Sequence, residues 1–267
     1  MDRDETPTSS SVVVLPPHRV LREYYGRADQ KPGFVRGIFD RTAADYDRVE
    51  RFMALGTGSR YRREALQRAG LTEGMRVLDV AAGTGMVSRE ALGIVGETGR
   101  VIGLEPSAGM LEQLLAGLKI PVVRGTGERL PIENAAVDFL SMGYALRHLS
   151  DVSMALREFR RVLKPGGILC LLEITPPRGR IAKLLMRAYL RGIVPCLTRL
   201  TARHADSPLL WRYYWDTIDA CLPPEQVMQA MRDAGFTDVK QNVALGIFSE
   251  YTGRAAAGIE NRNRTHE

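Results

Sequence analysis

The stretch VLDVAAGTG, from Val77 to Gly85, joins an apolar run to a pair of glycines. The apolar residues predict a buried strand, and Gly83 and Gly85 predict a sharp turn into a following helix. A glycine turn of this kind lets the backbone come close to a ligand. The identity of that ligand decides the function of the chain.

On both sides of the turn, apolar strands alternate with helical patterns. Helices are predicted in MVSREALGIVG and in SAGMLEQLLAGL, where Ser107 is a natural N-cap. Further strands are predicted in GRVIGLE, IPVVRG, AVDFLSMGY and ILCLLEIT, and TDVKQNVALGIFSEYTG predicts an antiparallel C-terminal hairpin. This order predicts a doubly wound α/β fold with a mostly parallel, seven-stranded sheet and helices on both faces.

The domain boundaries follow from composition. Proline, serine and threonine punctuate residues 1–32, which predicts a flexible N-terminal arm. One domain is expected over residues 33–254, with a helical cap inserted at about 178–222. The polar residues 255–267 predict a loose C-terminal tail.

Length and charge limit the class of protein. The chain has 267 residues, of which 45% are hydrophobic, and a formal net charge of +6. A core for one large domain is therefore available, and the mild positive charge does not by itself indicate nucleic acid. No apolar run approaches the ~20 residues of a membrane span, which predicts a cytoplasmic protein. The three cysteines, Cys170, Cys196 and Cys221, lack metal-ligand spacing and predict buried thiols, with no metal.

An acid at the end of the second strand narrows the choice of ligand. Glu105 lies 105 − 85 = 20 residues after Gly85, as expected for a carboxylate that binds ribose hydroxyls. A dinucleotide would favour a third glycine, which this turn lacks. Asp79 would also repel a pyrophosphate but suits the ammonium group of S-adenosylmethionine. The residues therefore favour S-adenosylmethionine, and a nicotinamide oxidoreductase remains the alternative on this fold.

Several motifs in succession resemble those of class I methyltransferases. They include VRGIFDRTAADYDRVE, VLDVAAGTG, GLEPSAGML, GTGERLPIENAAVDF, ALRHLSDVSMALREFRRVLKPGG and LLEITPP. The resemblance is greatest to the family that C-methylates quinol rings in ubiquinone and menaquinone biosynthesis, and it covers roughly residues 34–251. It implies a Rossmann-like methyltransferase fold and S-adenosyl-L-methionine as cofactor.

The resemblance also implies a set of cofactor contacts. Transferred residue by residue, they are Tyr46, Asp79, Ala82, Gly83, Thr84, Gly85, Glu105, Pro106, Met110, Thr126, Gly127 and Gly143. Several positions depart from the family pattern: Glu105 stands where the family usually has Asp, Gly143 or its neighbour stands where it has Ser, and His148 stands where it has Asn. The adenine-binding pair, often Asn-Ala or Asp-Ala, is Thr126-Gly127 here, and Met86 replaces an aspartate. An alternative role for Asp79 is to hold the backbone of the turn.

Chemistry is expected at the family's GLRN signature, which is Ala145-Leu146-Arg147-His148 in this chain. Transfer to a carbon nucleophile requires electron density, which a phenolate or quinolate supplies once a base removes the hydroxyl proton. His148 is the candidate base, and Arg147 would stabilise the oxyanion or bind an anionic substrate. Glu128 would orient either residue. Alternatively, Arg147 and His148 only hold the loop in place.

The predicted cap is strongly basic. From Ile174 to Ala205 there are seven Lys or Arg residues and no Asp or Glu. Amphipathic helical spacing with basic residues on one face allows a peripheral membrane contact, and a solvated surface is the alternative. Candidate substrate-binding residues in this part of the chain are Trp211, Tyr213, Tyr214 and Arg187, of which the aromatic ones could equally form core.

Several functions therefore remain open. The favoured one is C-methylation of a lipophilic quinol, a phenol or a prenylated small molecule, with no nucleic-acid partner. The rivals are C-methylation of an isoprenyl diphosphate and O- or N-methylation of a small natural product. A non-catalytic binding protein on a methyltransferase fold belongs to a different class. A homo-oligomer, with the N-terminal arm packed on a neighbouring subunit, is also left open.

Overall fold

A computed structural model describes residues 14–53, 56–201 and 204–256. In this part of the chain, seven strands form one sheet in the order β3-β2-β1-β4-β5-β7-β6. The strands are β1 (Arg76–Val80), β2 (Arg100–Leu104), β3 (Val122–Val123), β4 (Val137–Gly143), β5 (Leu163–Ile174), β6 (Phe236–Ala244) and β7 (Phe248–Ala255). The first five are parallel, whereas β7 pairs antiparallel with both β5 and β6. The predicted fold class and the C-terminal hairpin are confirmed.

Ten α-helices surround this sheet in the described residues. They are α1 (Arg22–Tyr25), α2 (Lys31–Met53), α3 (Gly58–Ala69), α4 (Met86–Val95), α5 (Ala108–Gly117), α6 (Val152–Val162), α7 (Arg180–Ala188), α8 (Val194–Thr201), α9 (Ser207–Ala220) and α10 (Pro224–Asp233). A π-helical turn, Tyr189–Ile193, joins α7 to α8. Where the structure describes the chain, no helix is long and apolar enough to cross a membrane.

The sheet is covered on both faces. In β1, Val77 belongs to the hydrophobic cluster that includes residues of α3, α4 and α5, whereas Leu78 belongs to the cluster that includes residues of α6 and α10. The alternation of side chains along a strand explains this division, and burial on both faces explains the continuous apolar runs of the sequence. Cys170 is buried as predicted, but Cys196 is exposed.

The structure differs from the predicted flexible arm over residues 14–32. Leu15 accepts a hydrogen bond from the backbone N–H of Val152 (2.9 Å), and Pro17 accepts one from Leu222 (2.8 Å). Leu21 and Tyr25 are each only 6% exposed and pack with Tyr213. These partners are distant in sequence, so local composition does not indicate them. Residues 1–13, and all but the first two residues of the predicted tail at 255–267, lie outside the described residues.

Helices α7, α8 and α9 occupy most of the segment predicted as a helical cap. A separate hydrophobic cluster includes Leu190 of the π-helical turn, Val194 of α8, and Trp211 and Trp215 of α9, together with Val49 of α2. The cap is therefore packed against the long helix α2. Its role in binding substrate stays a prediction.

One side chain links helix α6 to the N-terminal segment. Asp151 caps α6 by accepting hydrogen bonds from the backbone N–H groups of Ser153 (2.9 Å) and Met154 (3.2 Å). The same oxygen accepts a third from Leu15 (3.2 Å). We expect Asp151→Ala to lower the free energy of unfolding by about 1–2 kcal/mol, measured by urea denaturation. Asp151→Asn keeps a capping oxygen and is the control, and an alanine variant as stable as the wild type would contradict this role.

Candidate active site

One large cleft lies at the carboxyl ends of β1, β2 and β4. It encloses about 1130 Å³, including its opening to solvent. Of the residues predicted for the site, it is lined by Tyr46, Ala82, Gly83, Glu105, Pro106, Met110, Thr126, Gly127, Glu128, Gly143 and His148. The carboxyl ends of parallel strands are the usual ligand-binding edge of such a sheet.

The glycine turn forms the floor of the cleft. Ala81, Gly83 and Gly85 all have positive φ, of 55°, 58° and 87°. A Cβ at Gly83 would meet nothing within 4 Å, whereas one at Gly85 would lie 2.7 Å from Leu118 Cδ1. Gly83 therefore presents bare backbone to the cleft. Gly85 is needed for the close packing of the turn against α5.

Glu105 joins the second strand to this turn. Its carboxylate accepts hydrogen bonds from the backbone N–H groups of Gly83 (2.8 Å) and Ser107 (2.9 Å), and the residue is 5% exposed. Burial raises the pKa of Glu105 to about 7, although these two donors oppose the shift. Because the carboxylate already accepts the Gly83 N–H, that donor is not free for a pyrophosphate.

Two further carboxylates lie next to the turn. Asp79 is fully buried beneath it and accepts hydrogen bonds from the hydroxyls of Ser88 (2.6 Å) and Ser141 (2.8 Å). Burial raises the pKa of Asp79 to about 6. Asp47 accepts one from the Thr84 hydroxyl (2.5 Å). A turn surrounded by acids suits a cationic ligand and disfavours an anionic one.

Helix α2 closes one side of the cleft. Asp40 accepts hydrogen bonds from the Ser107 hydroxyl (2.6 Å) and the Gly109 backbone N–H (3.0 Å), which attaches α2 to the start of α5. Two turns further along α2, Asp47 attaches the helix to Thr84 of the glycine turn. Next to these two attachments, α2 presents Phe39 and Tyr46 to the cleft.

His148 lines the cleft from a short 3₁₀ turn, Leu146–His148, that follows β4. Its ring packs against Phe39 (centroids 5.2 Å apart) and Tyr213 (5.6 Å), and Nδ1 is 3.5 Å from the Tyr213 hydroxyl. Its Nε2 has no hydrogen-bond partner among the described residues. Burial lowers the pKa of His148 well below 6.5, and the positive charges of Arg147 and Lys31 lower it further. The imidazole is therefore neutral at neutral pH.

Arg147 does not reach the cleft, contrary to the predicted contact with substrate. Its side chain is fully buried, donates to Glu173 (Nη1 to Oε2, 2.6 Å) and lies over the Tyr214 ring, 4.1 Å from the centroid. Burial opposes the charged form, but the Glu173 carboxylate more than compensates, and the pKa of Arg147 is raised. Arg147 is thus a buried cation behind the site. This position is closer to the alternative prediction, in which Arg147 only holds the loop in place.

Seven other predicted residues lie outside the cleft lining as well. They are Asp79, Thr84, Gly85, Trp211, Tyr213, Tyr214 and Arg187. The three aromatic residues are at most 5% exposed and form core behind the wall, where Trp211 stacks on Tyr46 (6.0 Å). Arg187 is exposed on α7, in a separate surface pocket that includes Arg191 and Asp219.

Sequence reasoning missed five polar or aromatic residues of the cleft, which are Arg36, Phe39, Arg62, Tyr144 and Ser150. Phe39 and Arg36 share the face of α2 that carries Tyr46, so their spacing was an available signal. Arg62 is 4% exposed, pairs with Glu50 and lies 5.5 Å from the Tyr144 ring centroid. It falls on the apolar face of α3 with Ala65 and Leu66, which distinguishes it from its exposed neighbours Arg60 and Arg63.

These residues fit S-adenosylmethionine better than a metal or a dinucleotide. The acidic turn suits the positive charges of the cofactor, and Glu105 is placed to accept hydroxyl hydrogen bonds. Within the described ranges, no cluster of three or more His, Cys, Asp or Glu side chains could hold a metal ion.

Comparison with known proteins now identifies the family. Residues 26–255 match the model of the ubiE/COQ5 methyltransferase family. The chain belongs to the ubiE/COQ5 methyltransferase family. The methyltransferase is 32% identical over 232 residues to the ubiquinone/menaquinone biosynthesis C-methyltransferase UbiE of Hahella chejuensis, which covers 84% of this chain and 92% of that protein. It is also 32% identical over 233 residues to UbiE of Coxiella burnetii, with 84% and 92% covered.

Solved structures agree on the fold. A SAM-dependent methyltransferase from Thermotoga maritima is 22% identical, with a TM-score of 0.60 over 82% of this chain and 99% of that one. The predicted family and enzyme class are therefore confirmed, and S-adenosyl-L-methionine is the cofactor of this methyltransferase.

The buried ion pair between Arg147 and Glu173 leads to a prediction about stability. Removing one partner of a buried ion pair leaves an uncompensated charge, which typically costs about 3–5 kcal/mol. We expect Glu173→Leu to destabilise the protein by this order, and Arg147→Met with Glu173→Leu to recover much of the loss. Urea denaturation of both variants measures this coupling. With Arg147→Met measured alone as well, a loss in the double variant equal to the sum of the two single losses would show that the pair is not coupled.

Proposed function

We propose that this enzyme transfers the methyl group of S-adenosylmethionine to a ring carbon of a lipophilic quinol or phenol. The observation that carries the proposal is the composition of the cleft. The cleft combines an acidic glycine turn with apolar and aromatic side chains and a single neutral histidine among its described residues. Two curated relatives that match most of the chain are named for C-methylation in ubiquinone and menaquinone biosynthesis.

The cofactor would lie along the carboxyl ends of the strands. Glu105 would accept hydrogen bonds from the ribose hydroxyls, and the backbone of Ala82 and Gly83 would pass beneath the amino-acid part. Arg62 would bind the carboxylate of that part, since it is a buried cation next to the turn. Met110 and the Thr126-Gly127 pair would contact the adenine.

The bound cofactor supplies an electrophilic methyl group on a sulfonium. The chain must provide an acceptor carbon with raised electron density, and it does so by removing a proton from the acceptor hydroxyl. As the carbon–methyl bond forms, the sulfur–methyl bond breaks, and the methylated carbon then loses its hydrogen as a proton, which restores the aromatic ring. We assign this proton to Nε2 of His148, which is neutral and has no partner within the described residues.

The remaining wall of the cleft orients the acceptor and excludes water. Phe39, Met142 and Leu149 line it with apolar surface, and Phe39 packs edge-on against the His148 ring. An aromatic ring held between such side chains would be kept near His148 and away from solvent. Alignment and exclusion of water are the main contributions that an enzyme makes to a displacement of this kind.

The alternative function, C-methylation of an isoprenyl diphosphate, has less support. The basic residues of the cap do not line the cleft, which contains only two arginines among its described residues, Arg36 and Arg62. Because Arg62 is also paired with Glu50, it could bind a single carboxylate but does not supply the charge that a diphosphate requires. A diphosphate would require a stronger cationic site than this one.

The direct test is methyl transfer from labelled S-adenosylmethionine to a panel of acceptors. The panel contains quinols with short and long prenyl tails, simple phenols and prenyl diphosphates, each with and without magnesium. We expect labelled, acid-stable C-methyl products from the quinols and independence of magnesium. Transfer only to diphosphates would overturn the proposal.

The pKa of Glu105 predicts how cofactor affinity depends on pH. Because this pKa is raised to about 7, the side chain is mostly protonated at pH 6 and mostly ionised at pH 8. Only the carboxylate accepts from two hydroxyls, so affinity should rise about tenfold between these pH values, measured by calorimetry. Glu105→Gln should bind more weakly and without this dependence. The exposed Glu112→Gln on α5 is the matched control, and a pH-independent wild type would contradict the assignment.

Substitution of His148 separates binding from catalysis. We expect His148→Ala to lower kcat on the order of 10²-fold and to leave the Kd for S-adenosylmethionine unchanged. His148→Asn retains a hydrogen-bonding side chain but accepts no proton, so it should be equally slow. An asparagine variant with full activity would show that His148 is not the base. Because the pKa of His148 is lowered, the acid limb of the kcat profile should lie below pH 6.5.

A further inference from the structure

Helix α7 carries an apolar face that packs against nothing in the described chain. Ile181, Leu184 and Leu185 are 76%, 65% and 65% exposed. Their i, i+3, i+4 spacing places them on one side of the helix, and no residue of α7 is buried. Ile193, in the π-helical turn that follows, is 52% exposed. Large apolar side chains grouped in this way mark a contact surface more often than isolated ones do.

Positive charge surrounds this face. Arg178, Arg180 and Arg187 are exposed and form no ion pair within the described residues, whereas Lys183 and Arg191 pair with Asp219 (2.5 Å) and Asp216 (3.2 Å). No acidic residue occurs between Ile174 and Ala205. The apolar face is therefore bordered by cations that the protein does not neutralise.

The order of residues along α7 gives the helix two distinct sides. At 100° per residue, Arg180 and Arg187 lie on the same flank, next to the apolar strip of Ile181, Leu184 and Leu185. Met186 lies on the opposite side and packs against the cluster of Trp211 and Trp215. The helix thus binds the cap by one side and directs its leucines and isoleucine outward.

We propose that α7 is a docking surface for an anionic lipid bilayer. The three apolar side chains would enter the boundary between headgroups and acyl chains, and Arg178, Arg180 and Arg187 would contact the lipid phosphates. The charge pattern selects this occupant. A second copy of the same face would bring unneutralised arginines opposite one another, with no acids in the segment to pair with them.

Helix α7 is linked to the active site through the packing of the cap, but it does not line the cleft. The helix lies on the cap, and α9 of the cap packs Trp211 on Tyr46 and Tyr213 on His148. A docked cap would hold the enzyme beside the membrane. The inference goes beyond the proposed function and does not depend on the identity of the methyl acceptor.

Vesicle co-sedimentation without any methyl acceptor tests this surface. We expect the wild type to bind vesicles containing about 30% phosphatidylglycerol and to bind less when salt rises from about 0.1 to 0.5 M. The triple variant Ile181→Gln, Leu184→Gln, Leu185→Gln should bind on the order of tenfold more weakly. The pair Arg180→Gln, Arg187→Gln should weaken binding to anionic vesicles and reduce its salt dependence.

The controls distinguish docking from general hydrophobicity. Leu245→Gln removes an apolar side chain that is 84% exposed in the turn between β6 and β7, and it should leave vesicle binding unchanged. Thermal unfolding should be unaltered in all variants, because the substituted side chains are exposed. A wild type that does not bind anionic vesicles, or a triple variant that binds as well, would overturn the proposal. So would a wild-type dimer, seen by sedimentation, that the triple variant abolishes.

Discussion

The hydrogen bond from the Gly83 backbone to the Glu105 carboxylate holds together the parts on which the site depends. It joins the turn after β1 to the end of β2, and it requires a left-handed backbone at Gly83. The same carboxylate accepts the Ser107 N–H, so it also fixes the start of α5. The Glu105 carboxyl, which makes both of these contacts, is only 5% exposed at the cleft, and the two backbone donors offset the free-energy cost of its burial.

The site is assembled from short polar contacts at the turn and from aromatic packing at the cap. Asp40 and Asp47 attach α2 to the start of α5 and to the glycine turn, while Trp211 stacks on Tyr46 of the same helix. Tyr213 supports His148 in a comparable way. The aromatic residues of the cap therefore shape the cleft from behind, which explains how they matter to the site although they do not line it.

The part of the site that is local in sequence could be predicted, and the part that depends on distant partners could not. The distance from the glycine turn to Glu105 is set by one helix and one strand, so spacing alone located it. Arg147 looked like a substrate contact because nothing nearby in the sequence reveals that Glu173, on the adjacent strand, neutralises it. The conformation of residues 14–32 likewise depends on pairing with distant residues, as in the isolated antiparallel β-bridge between His18 and Cys221.

The charges of the chain are divided between two regions with opposite requirements. Carboxylates gather at the glycine turn, where Asp79, Glu105 and Asp47 give a negative environment in a protein whose net charge is +6. The excess of basic residues is instead concentrated on the cap, away from the cleft lining. A cationic cofactor is thus attracted to the turn, while the cap remains free to meet an anionic surface. Mixing the two sets would weaken both interactions, since opposite charges placed together would neutralise one another before any ligand arrived.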